Sequence, residues 1–462
     1  MEQLQIPTFA ATDNFQLQNF AKQLESFLQT EHAFVEGGLV VSLNAPFGSG
    51  KTTFLQMWAN DLNERRKSNL NLPFPLILNA WESDHCGDPL LALISALTKE
   101  IPATGAQKEH VSMLREAASD VANFTLSMAN NVASKFGVDP MAAGEFAEKK
   151  KKVREQSRRG NFSMLDVFEA RAAALQRLKY ELDALVGGER PKGLILVDEL
   201  DRCRPDYAVH YLETIKHIFD IPGLIFVLAV DKNQLRCSAK ALFGADLNFD
   251  EYYRKFAHRN IELPKPTEEG LRALIEKYVT QYVKKEGGRH CMLAIERHHI
   301  QGIIEFVMAS DLKPRQVQEL FRIIGHVLTS SEAKQGELHW AYGVGTILLV
   351  VISMTNPSLY RAVGNQNATF EEVGSYLKDA LQKPDWWLKV FCTGYLPRKT
   401  SEDSPSIYEC FRKLNLLEKG MDLEKFQLSL GQIADGWGDH YWHTIPVVFV
   451  YDTIESLKSF EP

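Results

Sequence analysis

The stretch Leu39–Trp58, LVVSLNAPFGSGKTTFLQMW, restricts the fold more than any other part of the chain. Its opening run of apolar and β-branched residues reads as a buried strand. The run ends at a short turn carrying Gly48 and Gly50, and Lys51, Thr52 and Thr53 then open a segment of helical character. Strand, glycine turn and helix in that order make a phosphate-binding loop, completed here by Pro46, Phe47 and Ser49. Backbone N–H groups must converge on the phosphates, and the crowded positions suit residues without a Cβ. Lys51 supplies the cation for the β and γ phosphates, and Thr52 supplies a hydroxyl for Mg2+. The positive end of the helix faces the anion.

The pattern G-x-x-x-x-G-K-[ST] begins with glycine, and Ala45 stands in that place. The position ends the strand and starts the turn, and a methyl group is the mildest change there. The loop is expected to tolerate it. A glycine-rich turn with no ligand would show the same letters, so the reading needs a second half elsewhere in the chain.

That half is found at GLILVDELDRCRPDYAVHYLETIKHIF, from Gly193. Four apolar residues, Leu194 to Val197, lead into Asp198 and Glu199. A carboxylate at the end of a strand beside the loop can hold hydrated Mg2+, which predicts that role for Asp198. Glu199 can orient and polarise the attacking water. Phosphoryl transfer needs little beyond positioning and charge stabilisation, so the two acids and the loop supply most of it. A third strand, GLIFVLAVDKNQL, places Asp231 at the same edge, where ligands collect in open α/β sheets. Two readings of Asp231 stay open: a contact with phosphate through water, Mg2+ or a basic neighbour, or the N-cap of the next helix. DKNQ at Asp231 is not the guanine-reading N-K-x-D, which leaves ATP as the expected nucleotide.

Five stretches now occur in order over Leu39 to Pro266: APFGSGKTTFL, LILNAWESD, LILVDELDRCRPDYAVHYLETIKHIF, IFVLAVDKNQL and EYYRKFAHRNIELPKP. Together they resemble the KAP family of P-loop NTPases. The resemblance implies an α/β fold with a parallel P-loop sheet of the additional-strand, catalytic-glutamate type, in the order 5-1-4-3-2. It also implies that the strand bearing Asp198 lies next to strand 1. The family usually has glycine where Ala45 stands, and more often tryptophan where Phe47 stands. Many members carry membrane helices between the loop and the acidic strand, but the insert here, about 101–190, is polar and helix-forming. The resemblance is therefore to a soluble, bacterial-type member, similar to ATPase components of anti-phage defence systems.

Related ring-forming ATPases carry an arginine just before the fifth strand that reaches into the next subunit. Arg254 is the candidate, with Lys255 and Arg259 as alternates; a surface helix end with basic residues is the other reading. In SDLKPRQVQELFRII a helix begins at Pro314, and Arg315 occupies the place where a helical lid contacts the γ-phosphate. Arg202 either senses a partner or pairs with Glu213 or Asp206.

The net charge of −7 excludes a protein that binds polyanions over its whole surface, so a nucleic-acid contact must be local. Lys149, Lys150, Lys151, Lys152, Arg154, Arg158 and Arg159 form such a cluster, able to neutralise DNA or RNA phosphates or simply to sit on a solvated helix. Leu175, Leu178, Leu182 and Leu185 recur at helical spacing, which suits packing on the sheet or on a partner helix. The six cysteines show no paired spacing, and the first fifteen residues have no basic start followed by an apolar core. Both points predict a reducing, cytoplasmic setting without a secretory leader. The run Ala341–Met354 is shorter than the about 20 residues a bilayer requires and reads as a buried element.

The division expected is a P-loop NTPase core over 1–266, a helical lid over 267–331, and a mainly helical C-terminal domain over 332–462 with a possible partner-binding role. The function expected is binding and hydrolysis of ATP with Mg2+, driving assembly or a conformational signal in an oligomer or a complex with other proteins. A nucleotide-gated scaffold with slow turnover and a nucleic-acid-stimulated ATPase are the alternatives.

Overall fold

In the computed structural model, residues 7–85, 87–100, 109–121, 164–188, 190–282, 297–328, 340–396, 400–437 and 445–458 are described. The basic cluster Lys149–Arg159 lies outside them. The chain divides into two compact units, Met1–Lys265 and Pro266–Pro462.

The first unit is built on five parallel strands: β1 (Leu39–Asn44), β2 (Phe74–Asn79), β3 (Gly193–Asp198), β4 (Leu224–Val230) and β5 (Arg259–Glu262). Their order is β2-β3-β4-β1-β5, which is the expected 5-1-4-3-2 read from the other edge. One expectation is corrected. The strand bearing Asp198 does not lie next to β1, because β4 pairs with both and separates them. Register explains how the site still assembles. Asn79 is level with Asp198, Asp198 with Ala229, Val230 with Asn44, and Asn44 with Glu262. The polar ends of buried strands therefore line one edge of the sheet, where an open α/β fold places its ligand.

Period-two alternation sends neighbouring side chains to opposite cores. On β4, Ile225, Val227 and Ala229 join one core, with Phe54, Trp58 and Leu62 of the helix Lys51–Arg66. Leu224, Phe226, Leu228 and Val230 join the other, with Tyr207, Tyr211 and Ile215 of the helix Pro205–Ile218. Because both faces are covered, β3 and β4 are apolar up to their last residues rather than alternating in polarity, whereas the edge strand β5 is polar and exposed. Leu178, Leu182 and Leu185, on the helix Met164–Val186, are buried in the second of these cores, so their stripe packs within the unit.

The described elements of the second unit are all helices. Its helix Trp340–Thr355 is buried on every side from Trp340 to Ile352, which explains an apolar run too short for a bilayer. Trp437 packs against Tyr342 at a ring separation of 5.1 Å, and its indole N–H donates to Thr393 Oγ1 at 3.2 Å. Thr267 Oγ1 accepts the Gly270 N–H at 3.1 Å and opens the helix Glu268–Tyr282. Among the described residues no helix is long and apolar enough to cross a membrane.

Candidate nucleotide site

The loop after β1 turns through two left-handed glycines, Gly48 (φ +81°) and Gly50 (φ +96°). An L side chain is strained in that region, so glycine is required by the backbone itself. Gly50 precedes the helix Lys51–Arg66, whose first bond runs from the Phe54 N–H to the Gly50 carbonyl at 2.9 Å. The first N–H groups of a helix have no partner within it, so they are available to an anion. The Ser49 hydroxyl donates to the Pro46 carbonyl at 2.8 Å and tightens the turn. Ala45 is 3% exposed within the core and does not have a positive φ. Its methyl fills space and its backbone does not require glycine. Thr52 and Thr53 lie exposed on the first turn of the helix.

Lys51 is buried and its Nζ donates to the Ala45 carbonyl at 2.7 Å. Asp201 Oδ2 lies 3.7 Å from the same ammonium and accepts the Asp231 N–H at 2.7 Å. Asp231 is the N-cap of the helix Lys232–Phe243, accepting the Asn233 N–H at 3.1 Å through Oδ1. Its Oδ2 accepts the Phe47 N–H at 3.2 Å, so one carboxylate ties β4 to the phosphate loop.

Asp198 is only 4% exposed. Burial raises its carboxyl above the usual range, opposed by a hydrogen bond with the Thr52 hydroxyl, the Glu199 N–H and the charge of Lys51. A buried carboxylate and a threonine hydroxyl are hard oxygen donors, which fit Mg2+ with most of its water retained. Glu199 adopts a left-handed φ of +59°, a strained conformation for an L side chain. One of its oxygens, Oε2, accepts from Asn79 Nδ2 at 3.1 Å, and the other, Oε1, pairs with Arg202 Nη2 at 3.0 Å. Arg202 therefore pairs with Glu199, which corrects the expected pairing with Glu213 or Asp206: the single 3-10 turn Leu200–Arg202 folds it back onto Glu199. Cys203 lies beneath, its thiol pushed up to about 12 by burial and by the charges of Asp84, Asp201 and Glu199, so it stays protonated at neutral pH.

The structure thus brings Lys51, Thr52, Asp198, Glu199 and Asp231 to one edge of the sheet. Two partners escaped the sequence reading as site residues, Asn79 and Asp201, and Arg202 was read only as a partner sensor or as paired with Glu213 or Asp206. Asn79 and Asp201 stand in NAWESD and DELDR, and the signal was a polar residue at or just past the end of a buried strand. Arg254 is exposed, at the end of the short helix Phe249–Tyr253. Lys255 is also exposed, and Arg259 pairs with Glu31 at 2.7 Å. Arg315 lies in the second unit, in the first turn of the helix Pro314–Leu328.

A five-stranded parallel sheet whose first strand feeds a glycine loop and a lysine-headed helix, with an acidic pair ending β3 at the same edge, defines a P-loop NTPase fold. The chain belongs to the KAP family: the profile of the KAP family P-loop domain matches residues 17–330. No curated protein matches the sequence. Among solved structures it is similar to the Aeropyrum pernix ORC1 protein in complex with DNA, with 13% identity over 90% of this chain and 83% of that one, at a TM-score of 0.33. It is similar also to the Aeropyrum pernix ORC2 protein in ADPNP-ADP complexes, with 11% identity over 96% of this chain and 95% of that one, at a TM-score of 0.32.

Proposed function

We propose that the chain binds ATP with Mg2+ and hydrolyses it, and that hydrolysis drives assembly or a conformational signal to a partner. The observation that carries this reading is the convergence of Lys51, Thr52, Asp198 and Glu199 at one end of the sheet. Lys51 binds the β and γ phosphates, and the backbone N–H groups of Gly48 and of Gly50 to Thr53 surround them. Thr52 and Asp198 hold Mg2+, which supplies charge neutralisation for the phosphoryl oxygens. Glu199 orients the attacking water. Asp231 holds the loop through Phe47 N–H and so acts on the phosphates indirectly. Arg254 completes the site of a neighbouring subunit. The sequence resemblance suggests a bacterial anti-phage defence complex as the setting.

The double tether on Glu199 favours a second reading, a nucleotide-gated scaffold with slow turnover. Glu199→Gln separates the two. In a hydrolysing switch it lowers ATP turnover by about 10²- to 10⁴-fold, the usual contribution of a general base, traps bound ATP and alters the response of the partner. In a scaffold it leaves the output unchanged. Wild-type protein with no affinity for Mg2+–ATP would end both readings.

A further inference from the structure

Glu199 is held by two donors of unequal mobility. Asn79 is locked: its Nδ2 donates to Glu199 Oε2 at 3.1 Å and to Glu82 Oε1 at 3.2 Å, and its Oδ1 accepts the Trp81 and Glu82 N–H groups at 3.0 and 3.3 Å. Arg202 is differently placed. Besides Glu199, its guanidinium lies against two ring faces, 4.6 Å from the Phe47 centroid and 5.8 Å from that of Trp81. Both rings are largely exposed, at 44% and 52%. Phe47 belongs to the phosphate loop, so Arg202 physically connects that loop to Glu199.

The aromatic faces fix the plane of the guanidinium but offer it no hydrogen-bond acceptor. Its N–H groups can therefore change partners without losing the stack. A phosphate group presents oxygens in the geometry a guanidinium fork matches best, with more charge than one carboxylate. An anion on the loop competes with Glu199 for Arg202, whereas Asn79 carries no charge and is bonded on all sides.

We propose that Arg202 is a positioning residue that reads the third phosphate. The γ-phosphate of a bound triphosphate draws the guanidinium from Glu199 Oε1, and Glu199, still fixed by Asn79, turns that oxygen to the attacking water. A diphosphate does not reach Arg202, so Glu199 stays paired after product forms. This inference rests on the ATPase reading above and adds to it the discrimination between triphosphate and diphosphate.

The test compares calorimetric affinities for Mg2+–ADP and for the Mg2+ complex of the β,γ-imido analogue of ATP. Wild type is expected to prefer the analogue. Arg202→Ala should reduce that preference about tenfold while changing ADP affinity less than about twofold, the loss of one charged hydrogen-bonding partner. Arg202→Lys, which keeps the charge without the fork, should recover part of it and serves if the alanine variant does not fold. Glu199→Gln should tighten the analogue alone, by removing the competing anion. Combined with Arg202→Ala, that gain should vanish, which a purely structural role would not produce. The Trp81 emission, isolated by difference from Trp81→Phe, should shift with the analogue and not with ADP. An unchanged preference in Arg202→Ala, or an equal loss for both nucleotides, overturns the inference and leaves the ATPase reading standing. A wild type that binds neither nucleotide overturns both.

Discussion

The ammonium of Lys51 donates to the carbonyl oxygen of Ala45 across 2.7 Å, so the cation lies back over its own loop. Its nearest carboxylate is Asp201, 3.7 Å away and 5% exposed at the side chain. The lysine expected to bind phosphate is thus already neutralised by an acid in the 3-10 turn that follows β3. A phosphate must compete with that acid for the charge. Asp201→Asn keeps an oxygen for the Asp231 N–H but removes the counter-charge. The variant should melt lower, because a buried cation loses its partner. It should also bind Mg2+–ATP more tightly, by about fivefold if the competing pair is worth about 1 kcal/mol. Thermal melting with and without nucleotide measures both effects on one sample.

Asp198 gives the site a pH dependence of definite sign. Burial raises its carboxyl above the ordinary value near 3.8, so the fold favours the protonated form. Its contribution to stability is full below that value and is lost as pH rises through the raised one. Mg2+ needs the ionised form, so nucleotide affinity moves the other way and increases with pH over the same window. Asp198→Asn should flatten both profiles: higher melting at neutral pH, and weak, pH-independent binding of Mg2+–ADP by calorimetry.

Gly50 and Ala45 make predictions that differ in nucleotide affinity. Gly50 has φ +96° and open space around the position of a Cβ, so Gly50→Ala meets no neighbour and isolates the backbone strain. It should cost about 1–2 kcal/mol of stability and weaken nucleotide binding, because relief of the strain moves the loop amides. Ala45→Gly restores the residue the motif usually has, yet the Ala45 methyl is buried and the backbone is ordinary. It should lose about 1 kcal/mol and gain no affinity. Denaturant unfolding and calorimetry separate the two outcomes.

The sheet order came only from the family resemblance, whereas the strand-loop-helix unit and the acids that close β3 were legible in the residues because their signals are local: apolar runs, glycines at left-handed turns, and acids at a strand end. The neighbour of the Asp198 strand was not, since insertion of β4 between β3 and β1 is a matter of pairing rather than of any residue in either strand. The partners of Glu199 show the same limit. Asn79 is 120 residues away in sequence, and only the level register of β2 and β3 brings it within 3.1 Å. Arg202 is three residues from Glu199, but whether it points to Glu199, Glu213 or Asp206 depends on the 3-10 turn and on the two rings that hold it. The pairing of Lys51 with Asp201 likewise depends on how the turn after β3 folds back over the loop.

Arg254 sits exposed at the end of the helix Phe249–Tyr253, a place suited to reaching another molecule. If it completes a neighbour's site, the two halves of the catalytic machinery lie on different subunits, and two inactive variants can repair each other. Lys51→Ala loses the grip on phosphate but still offers its Arg254. Arg254→Ala keeps the loop but deprives its neighbour. Each alone should lower ATP turnover by about 10³-fold or more, the usual weight of an arginine finger or of the loop lysine. An equal mixture should recover about a quarter of the wild-type rate, since half the sites have an intact loop and half of those an intact neighbour. Turnover per subunit in the wild type should also rise with protein concentration until assembly is complete. A mixture no more active than its components, or an Arg254→Ala protein at full rate, assigns the arginine to the surface of its own subunit.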